Sequence, residues 1–337
     1  MAKDKKITTV NLFKPTLRRQ DMQSVLETMA DEAIGPGVRK TEFEDAMKEL
    51  TGFDYAYALR SLGTSLQIIF DELDLEEGAR ILISPLAPSI YKRIADLFGY
   101  TLVFADTDPS TGLLKYNENA ESVDAIIHYL TTPALPDEEY KKFQGKTVID
   151  VSPALGLKNV NGFCKYAVCS LEDDDVISAG GGAVILSNDP LDNTIYKEDS
   201  MPDLNAALGF VQYKFFASNS QKRREIVQVY QNAFMRSGSK NKLFGLPDAD
   251  LPQEEYNAFR FAITLSSKVE DAMKYATKSK VEIKRLFEDS LVSTLGLRDD
   301  ELTNSIYTAT RTVYFPLYYF LKSHEIEEVS KMIAHLL

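Results

Sequence analysis

The chain has little of what metal sites, crosslinks and membrane spans are made from. Its 337 residues include two cysteines and three histidines. Cys164 and Cys169 fall five apart on what reads as one strand region, where a disulfide closes poorly and a metal would want further ligands, so both are expected in the core. His128, His324 and His335 are scattered, which leaves no imidazole cluster for zinc. No apolar run approaches ~18 residues, and no apolar stretch follows the charged start from Met1 to Lys6. A membrane span and a secretory leader are therefore not expected. Basic residues are also in deficit, 38 against 50 acidic, for a net charge of −12 and a pI near 4.9. That balance argues against a nucleic-acid partner or an anionic membrane surface and fits a cytoplasmic protein. Internal repeats and low-complexity segments are missing too.

What is present is core and alternation. With 44% hydrophobic residues the chain can bury one large domain and a smaller one. Apolar spacing predicts a helix over 16–33, a break at Ile34-Gly35-Pro36-Gly37, and a helix over 41–50 with Thr41 as N-cap and Glu44 completing a capping box. Short apolar strands follow at 55–59, 81–84, 101–105, 125–130, 147–150, 166–169 and 183–186, with helices at 66–73 and 90–98. Such runs, separated by helices, indicate an α/β fold with a mainly parallel sheet covered on both faces. Beyond Pro190, residues 201–216 and 220–235 read as a helical pair and 236–253 as a polar connection. Strands at 258–263, 281–284 and 313–318 then combine with helices at 269–278 and 323–336. The expected division is a large domain over 1–190, with part of the helices in 191–235, and a small C-terminal α+β domain over 236–337.

The most unusual stretch lies at the middle. Ser170 and Leu171 precede Glu172-Asp173-Asp174-Asp175, and Gly180-Gly181-Gly182 then runs into an apolar strand. The glycines allow positive φ and a sharp turn. Four adjacent carboxylates attract cations or bases and repel phosphate, although a solvated acidic loop explains the run equally well. If a metal were held, the lack of nearby histidine would restrict it to a hard ion such as Mg²⁺ or Ca²⁺. Ligands of parallel sheets sit at the carboxyl ends of strands, where Asp150 and the acidic loop both stand. Gly63-Thr64-Ser65, between a strand and a helix, can bind an anion through free amides, or simply cap the helix. His128 ends a strand and either faces the pocket or is satisfied in the core.

Several further stretches occur in one order: Ile34-Gly35-Pro36-Gly37 with Phe43-Glu44; Gly63-Thr64-Ser65-Leu66; Asp106-Thr107-Asp108-Pro109-Ser110-Thr111-Gly112; Asp150 with Ala154-Leu155-Gly156; Gly181-Gly182-Ala183-Val184; Leu204-Asn205-Ala206-Ala207-Leu208-Gly209 with Gln212 and Lys222-Arg223; and Phe315-Pro316-Leu317. In these the chain resembles the DegT-type sugar aminotransferases, pyridoxal-phosphate enzymes that aminate keto-sugars on nucleotides. The resemblance implies the type I pyridoxal-phosphate transferase fold, a mainly parallel seven-stranded sheet with a small C-terminal α+β domain. It implies pyridoxal or pyridoxamine phosphate as cofactor, Asp150 against the pyridine nitrogen, and Gly63, Thr64 and Ser170 around the phosphate. It also implies a nucleotide-sugar ligand and a twofold interface, in a homodimer or a heterodimer with a related subunit.

The family's Schiff-base lysine falls on Asp174 counted back from Gly181-Gly182, or on Asp175 counted forward from Ser170. Its ring-stacking aromatic falls near Pro88 or Ser89, its glutamine after the ring aspartate at Pro153, and its Asn-Tyr-Arg element at 198–200, where Glu198 would add charge. These departures give the reading of a homologue in nucleotide-sugar or polysaccharide biosynthesis that is not a working transaminase and is kept for binding or assembly. One alternative is a keto-sugar dehydratase or aminotransferase using pyridoxamine phosphate, with Asp174 or Asp175 as base. Others are an ordinary aminotransferase whose lysine is Lys158 or Lys165, and a metal-dependent activity on the acidic loop.

Overall fold

A computed structural model describes residues 9–32, 34–192, 196–246 and 257–336. The charged N-terminal segment, residues 193–195 of the short loop and the 247–253 part of the expected connection lie outside them. Seven strands make the larger sheet: β1 (Tyr55–Leu59), β2 (Arg80–Ile83), β3 (Thr101–Phe104), β4 (Ala125–Tyr129), β5 (Thr147–Asp150), β6 (Tyr166–Ser170) and β7 (Ala183–Ser187), in the order β1-β7-β6-β5-β4-β2-β3. Strands β3, β2, β4, β5 and β6 pair in parallel, and β7 is antiparallel to both β6 and β1. The glycine run causes that reversal. All three glycines have positive φ, and a Cβ on Gly182 would stand 2.4 Å from the Met201 methyl carbon and 2.8 Å from the Leu59 carbonyl oxygen. Only glycine can turn the chain back into the sheet there.

The early helices are α1 (Arg19–Ala30), α2 (Val38–Thr51), α3 (Leu62–Leu73), α4 (Ile90–Leu97) and α5 (Asp203–Lys214). Strand side chains alternate between faces, so two cores form. Ile149, Ala167, Cys169, Val184 and Leu186 pack with Phe43 and Met47 of α2 and Ala206 of α5. Ile83, Ile127, Val148, Val168 and Ile185 pack with Leu66, Ile69 and Phe70 of α3 and Ile94 of α4. Both cysteines are free and buried in the first core, as expected. His128 points to the opposite face from the pocket, edge-on to Tyr140 at 4.4 Å, and burial holds its pKa down at about 3.

The helix after the glycine-proline turn starts earlier than its capping pattern suggested. Thr41 lies inside α2 and caps nothing. The cap comes instead from Asp203, whose carboxylate accepts from the amides of Gly37 at 2.7 Å, Lys40 at 2.9 Å and Arg39 at 3.1 Å. Gly37 is needed because a Cβ would meet that carboxylate at 3.0 Å. Glu44 pairs with Lys40 and accepts from the Ala58 amide, tying α2 to β1.

The second sheet is antiparallel, with β8 (Lys242–Phe244), β9 (Phe261–Thr264), β10 (Lys284–Arg285) and β11 (Thr312–Phe315) in the order β10-β11-β9-β8. Its strands are shorter than their apolar runs. Pro316, which has no amide to donate, follows the last residue of β11, and β8 falls within the expected polar connection. Around the sheet lie α6 (Phe216–Ser237), α7 (Val269–Ser279), α8 (Leu291–Leu295), α9 (Thr303–Arg311) and α10 (Ser323–Ala334). Ile226, Val227 and Tyr230 of α6 pack with Val329, Met332 and Ile333 of α10 in this second core. Two helices, α8 and α9, were not anticipated. Asp106, in one of the stretches that carry the resemblance, accepts from the amides of Asn304 and Ser305 and so fixes the start of α9. Asp203 carries the comparable load at α2, and all three of its amide partners lose their acceptor together if it is truncated. We expect Asp203→Ala to cost about 2 kcal/mol in chemical denaturation, and Asp203→Asn less.

Candidate active site

A cavity of about 440 Å³ opens at the carboxyl ends of β4, β5 and β6. Tyr129, Asp150, Ser152, Ser170, Glu172, Asp174 and Asp175 line it from the large sheet. Phe244, Asn257, Phe259, Arg260 and Phe287 face them from the second sheet and its connections. The structure therefore gathers Asp150, Ser170, Asp174 and Asp175 into one site. It does not include Gly63 and Thr64 among the lining residues. Ser61 is the N-cap of α3 and accepts from the Thr64 amide at 3.0 Å, so this turn closes on itself and Leu62 faces the cavity instead. A Cβ on Gly63 would lie 3.3 Å from the Arg93 guanidinium.

Asp150 is 1% exposed at the end of β5. One carboxylate oxygen accepts from the Tyr91 hydroxyl at 2.8 Å, and the other from the Ser152 amide at 2.9 Å and hydroxyl at 2.5 Å. Burial raises its pKa, and those donors pull it back. The Ser152 hydroxyl oxygen in turn accepts from the Ser170 amide, so a hydrogen-bonded chain runs from α4 to the end of β6.

The acidic loop is not a uniform patch. Asp174 accepts from the Arg260 guanidinium at 2.6 Å, and Arg260 lies between the Phe259 and Tyr314 rings, 4.4 Å from each centroid. Asp175 turns inward, accepts from the Glu172 amide at 2.8 Å and bonds with the Ser170 side chain. Desolvation pushes its pKa up to about 7, with the neighbouring Asp174 charge adding to the rise. Glu172 and Asp173 are exposed. The four acids thus differ: Asp174 is ion-paired, Asp175 turns inward, and Glu172 and Asp173 face solvent.

Among the described residues that line the cavity, Arg260 is the one cation and there is no lysine. Lys158 donates to the Leu50 carbonyl and Lys165 to the Glu72 carbonyl, both away from the site. Where the ring-stacking aromatic was sought, Pro88 lines the cavity and Ser89 donates to Asp289. Tyr91, Tyr129 and Arg260 were missed as site residues. A lone arginine between Phe259 and Phe261 at the start of an apolar strand was the available signal for the last of these, since such a charge needs a partner. No group of histidine, cysteine, aspartate or glutamate with metal-holding geometry occurs among the described residues.

A mainly parallel seven-stranded sheet with β7 reversed and a smaller antiparallel sheet make up a fold shared with solved aminotransferase structures. The model of the DegT/DnrJ/EryC1/StrS aminotransferase family matches residues 15–130 and 196–334, and the chain belongs to that family. A Campylobacter jejuni UDP-4-amino-4,6-dideoxy-N-acetyl-beta-L-altrosamine transaminase is 24% identical over 257 residues, 65% of this chain and 68% of that one. Among solved structures, the aminotransferase TlmJ from Streptoalloteichus hindustanus superposes with a TM-score of 0.81 at 16% identity, covering 96% of this chain and 98% of that one. The Escherichia coli GDP-4-keto-6-deoxy-D-mannose-3-dehydratase, with bound hydrated PLP, gives 0.82 at 13% identity over 97% and 100%.

Asp175 supplies a pH test. Its proton is held more tightly in the folded chain, at about 7, than in an unfolded one, at 3.8. Its contribution to stability is therefore complete below the unfolded value and is lost as pH rises through the folded one. Asp175→Asn keeps an acceptor for the Glu172 amide but cannot ionise. We expect it to stabilise the protein by on the order of 1–3 kcal/mol at about pH 8 and hardly at all at about pH 4, less than full linkage because part of the residue meets solvent. Urea denaturation at both pH values checks this.

Proposed function

We propose that this chain is a family member of sugar or polysaccharide biosynthesis whose site no longer takes the family's cofactor covalently, and that it acts by binding and assembly rather than transamination. The observation that carries the reading is the Asp174–Arg260 ion pair, because Asp174 is one of the two positions, with Asp175, on which the resemblance puts the Schiff-base lysine. Three features support it. The cavity offers no lysine nucleophile among its described lining residues. Both oxygens of Asp150 already serve Tyr91 and Ser152. The one lining cation is held by Asp174, while a cofactor phosphate of roughly −1.5 to −2 charge would meet further carboxyl groups. The described lining residues do not fit covalently held pyridoxal phosphate.

A second reading draws on Asp175, whose pKa of about 7 suits a general base acting on a keto-sugar. The fold it shares with a keto-sugar dehydratase is in its favour. Absorbance of the purified chain with added pyridoxal phosphate and borohydride tests both readings together, and keto-sugar turnover separates them. We expect no visible band that borohydride fixes to a lysine, and only weak recovery in Asp174→Lys, because Arg260 then loses its partner and faces a like charge. A fixed band in the wild-type chain would overturn the proposal. Turnover of a 4-keto-sugar that Asp175→Asn abolishes would favour the second reading.

Assembly belongs to the same proposal. Helix α1 turns Met22, Leu26 and Met29 to solvent, each more than half exposed, while Asp21 and Thr28 on the same helix are buried. An apolar outer face over a polar inner one is the pattern of a covered surface. It supports a homodimer, or a heterodimer with a related subunit, and the expected measurement is a dimer by sedimentation that Leu26→Glu converts to monomer.

A further inference from the structure

The second sheet is fastened to the large one unevenly. Beside α8 and α9 the joint is made by main chain: the Leu291 and Val292 amides donate to the carbonyls of Ala87 and Pro85, each at 2.9 Å, and the Ser89 amide donates to that of Asp289 at 2.8 Å. Leu86 packs there with Phe287, Val292 and Ala309. At the start of β9 the acidic loop instead meets the second sheet through the Asp174–Arg260 ion pair, and 42% of the Asp174 side chain is open to solvent. Water screens such a pair, so it parts more readily than a set of main-chain bonds.

The N-terminal segment crosses beside that weaker joint. Val10 forms a parallel bridge with Val281, its amide bound to the Lys280 carbonyl at 2.8 Å and its carbonyl to the Glu282 amide at 3.0 Å. The Leu12 amide donates to the Glu282 carboxylate at 2.9 Å. At the other end the Thr16 carbonyl accepts from Gln212 of α5 at 2.7 Å, and the Arg18 guanidinium stacks on Phe215 at 4.2 Å and on Tyr319 at 4.5 Å. Between these anchors, Leu12 and Phe13 line a void of about 10 Å³ together with Asp174, Arg223 and Arg260. Val10 and Val281 belong to the second core and α5 packs on the first, so separating the two units must pull on this strap.

We propose that the strap over residues 10–18 and the Asp174–Arg260 pair form one latch, which releases to open the cleft on this side while the α8–α9 side acts as the hinge. Leu12 and Phe13 keep water from one flank of the pair, and a strap that lifts lets water in and weakens it. Coupling of this kind is reciprocal: breaking the pair must loosen the strap by the same factor.

Amide hydrogen exchange of the full chain tests the latch. Glu282→Ala, at an exposed side chain, removes the acceptor of the Leu12 amide. It is expected to speed exchange of the Glu172 and Asp175 amides, which bond within the acidic loop, by about fivefold or more. Arg18→Gln keeps the bond from its own amide to Asp21 but loses the stacked cation, and should act on the same loop amides from the other anchor. Asp174→Asn is expected to speed exchange at Val10 and Leu12. In all three variants the Ser89, Leu291 and Val292 amides should keep their rates. Unchanged loop amides in either strap variant, or unchanged strap amides in Asp174→Asn, would overturn the proposal. So would equal acceleration on the hinge side, which is an ordinary loss of stability. The latch needs neither ligand nor cofactor, so a borohydride-fixed band would overturn the preceding reading and leave it standing.

Discussion

An ion pair joins the acidic loop after β6 to the second sheet, and the charge balance of the whole cleft depends on it. Arg260 is held between Phe259 and Tyr314, where water reaches it poorly. Arg223 lies close by in α6, fully buried, with its guanidinium on the carbonyls of Ala258 and Phe259. Burial first, and then the like charge of Arg260, lower the pKa of Arg223 to about 10. Two cations this close in a poorly hydrated place need an anion, and Asp174 supplies it at 2.6 Å. Asp174 keeps 42% of its side-chain surface, so water screens the pair and losing it costs less than losing a buried one. A lysine at Asp174 would put a third cation beside the other two. The acid is thus required by its surroundings as well as by its own loop.

The same reasoning explains why Asp150 can persist without a cofactor. Its carboxylate is bound by three donors from α4 and from the turn after β5, and through Ser152 it reaches the backbone of Ser170. Replacing it would leave the buried Tyr91 hydroxyl and the Ser152 amide without their acceptor. Each such orphan costs about 1–3 kcal/mol. A residue that matches a family's cofactor position therefore has a structural reason to remain, and its presence alone does not argue for catalysis.

The large sheet was legible strand by strand because buried parallel strands are short, continuous apolar runs, and each of the seven stands where such a run occurs. The glycine turn was legible for a related reason: three positive φ angles in succession leave few alternatives to glycine. Less could be read wherever a distant residue decides the outcome. Thr41 with Glu44 fits a local capping pattern, yet Asp203, far along the chain, caps α2 more completely with three amides. Gly63 and Thr64 fit an anion-binding turn, yet Ser61 satisfies it from within. Short strands of the second sheet and helices α8 and α9 depend on tertiary contacts, such as that of Asp106 with the start of α9, that no window of local sequence contains. In the site, the residue types at 150, 170, 174 and 175 were legible, but their partners Tyr91 and Arg260 were not. Hence the acidic loop read as four like charges, when one is ion-paired and another has its pKa raised to about 7.

That correction changes how the cavity should be understood. Four unscreened carboxylates would exclude almost any polar ligand except a metal, and the described residues show no metal-holding cluster. With Asp174 paired and Asp175 near its titration point, the field is weaker and more local. It still opposes a dianion, because the lining has no free cation among the described residues to receive one. The fold has kept a cleft of ligand size at the strand ends, and the one cation of its described lining is already engaged by Asp174.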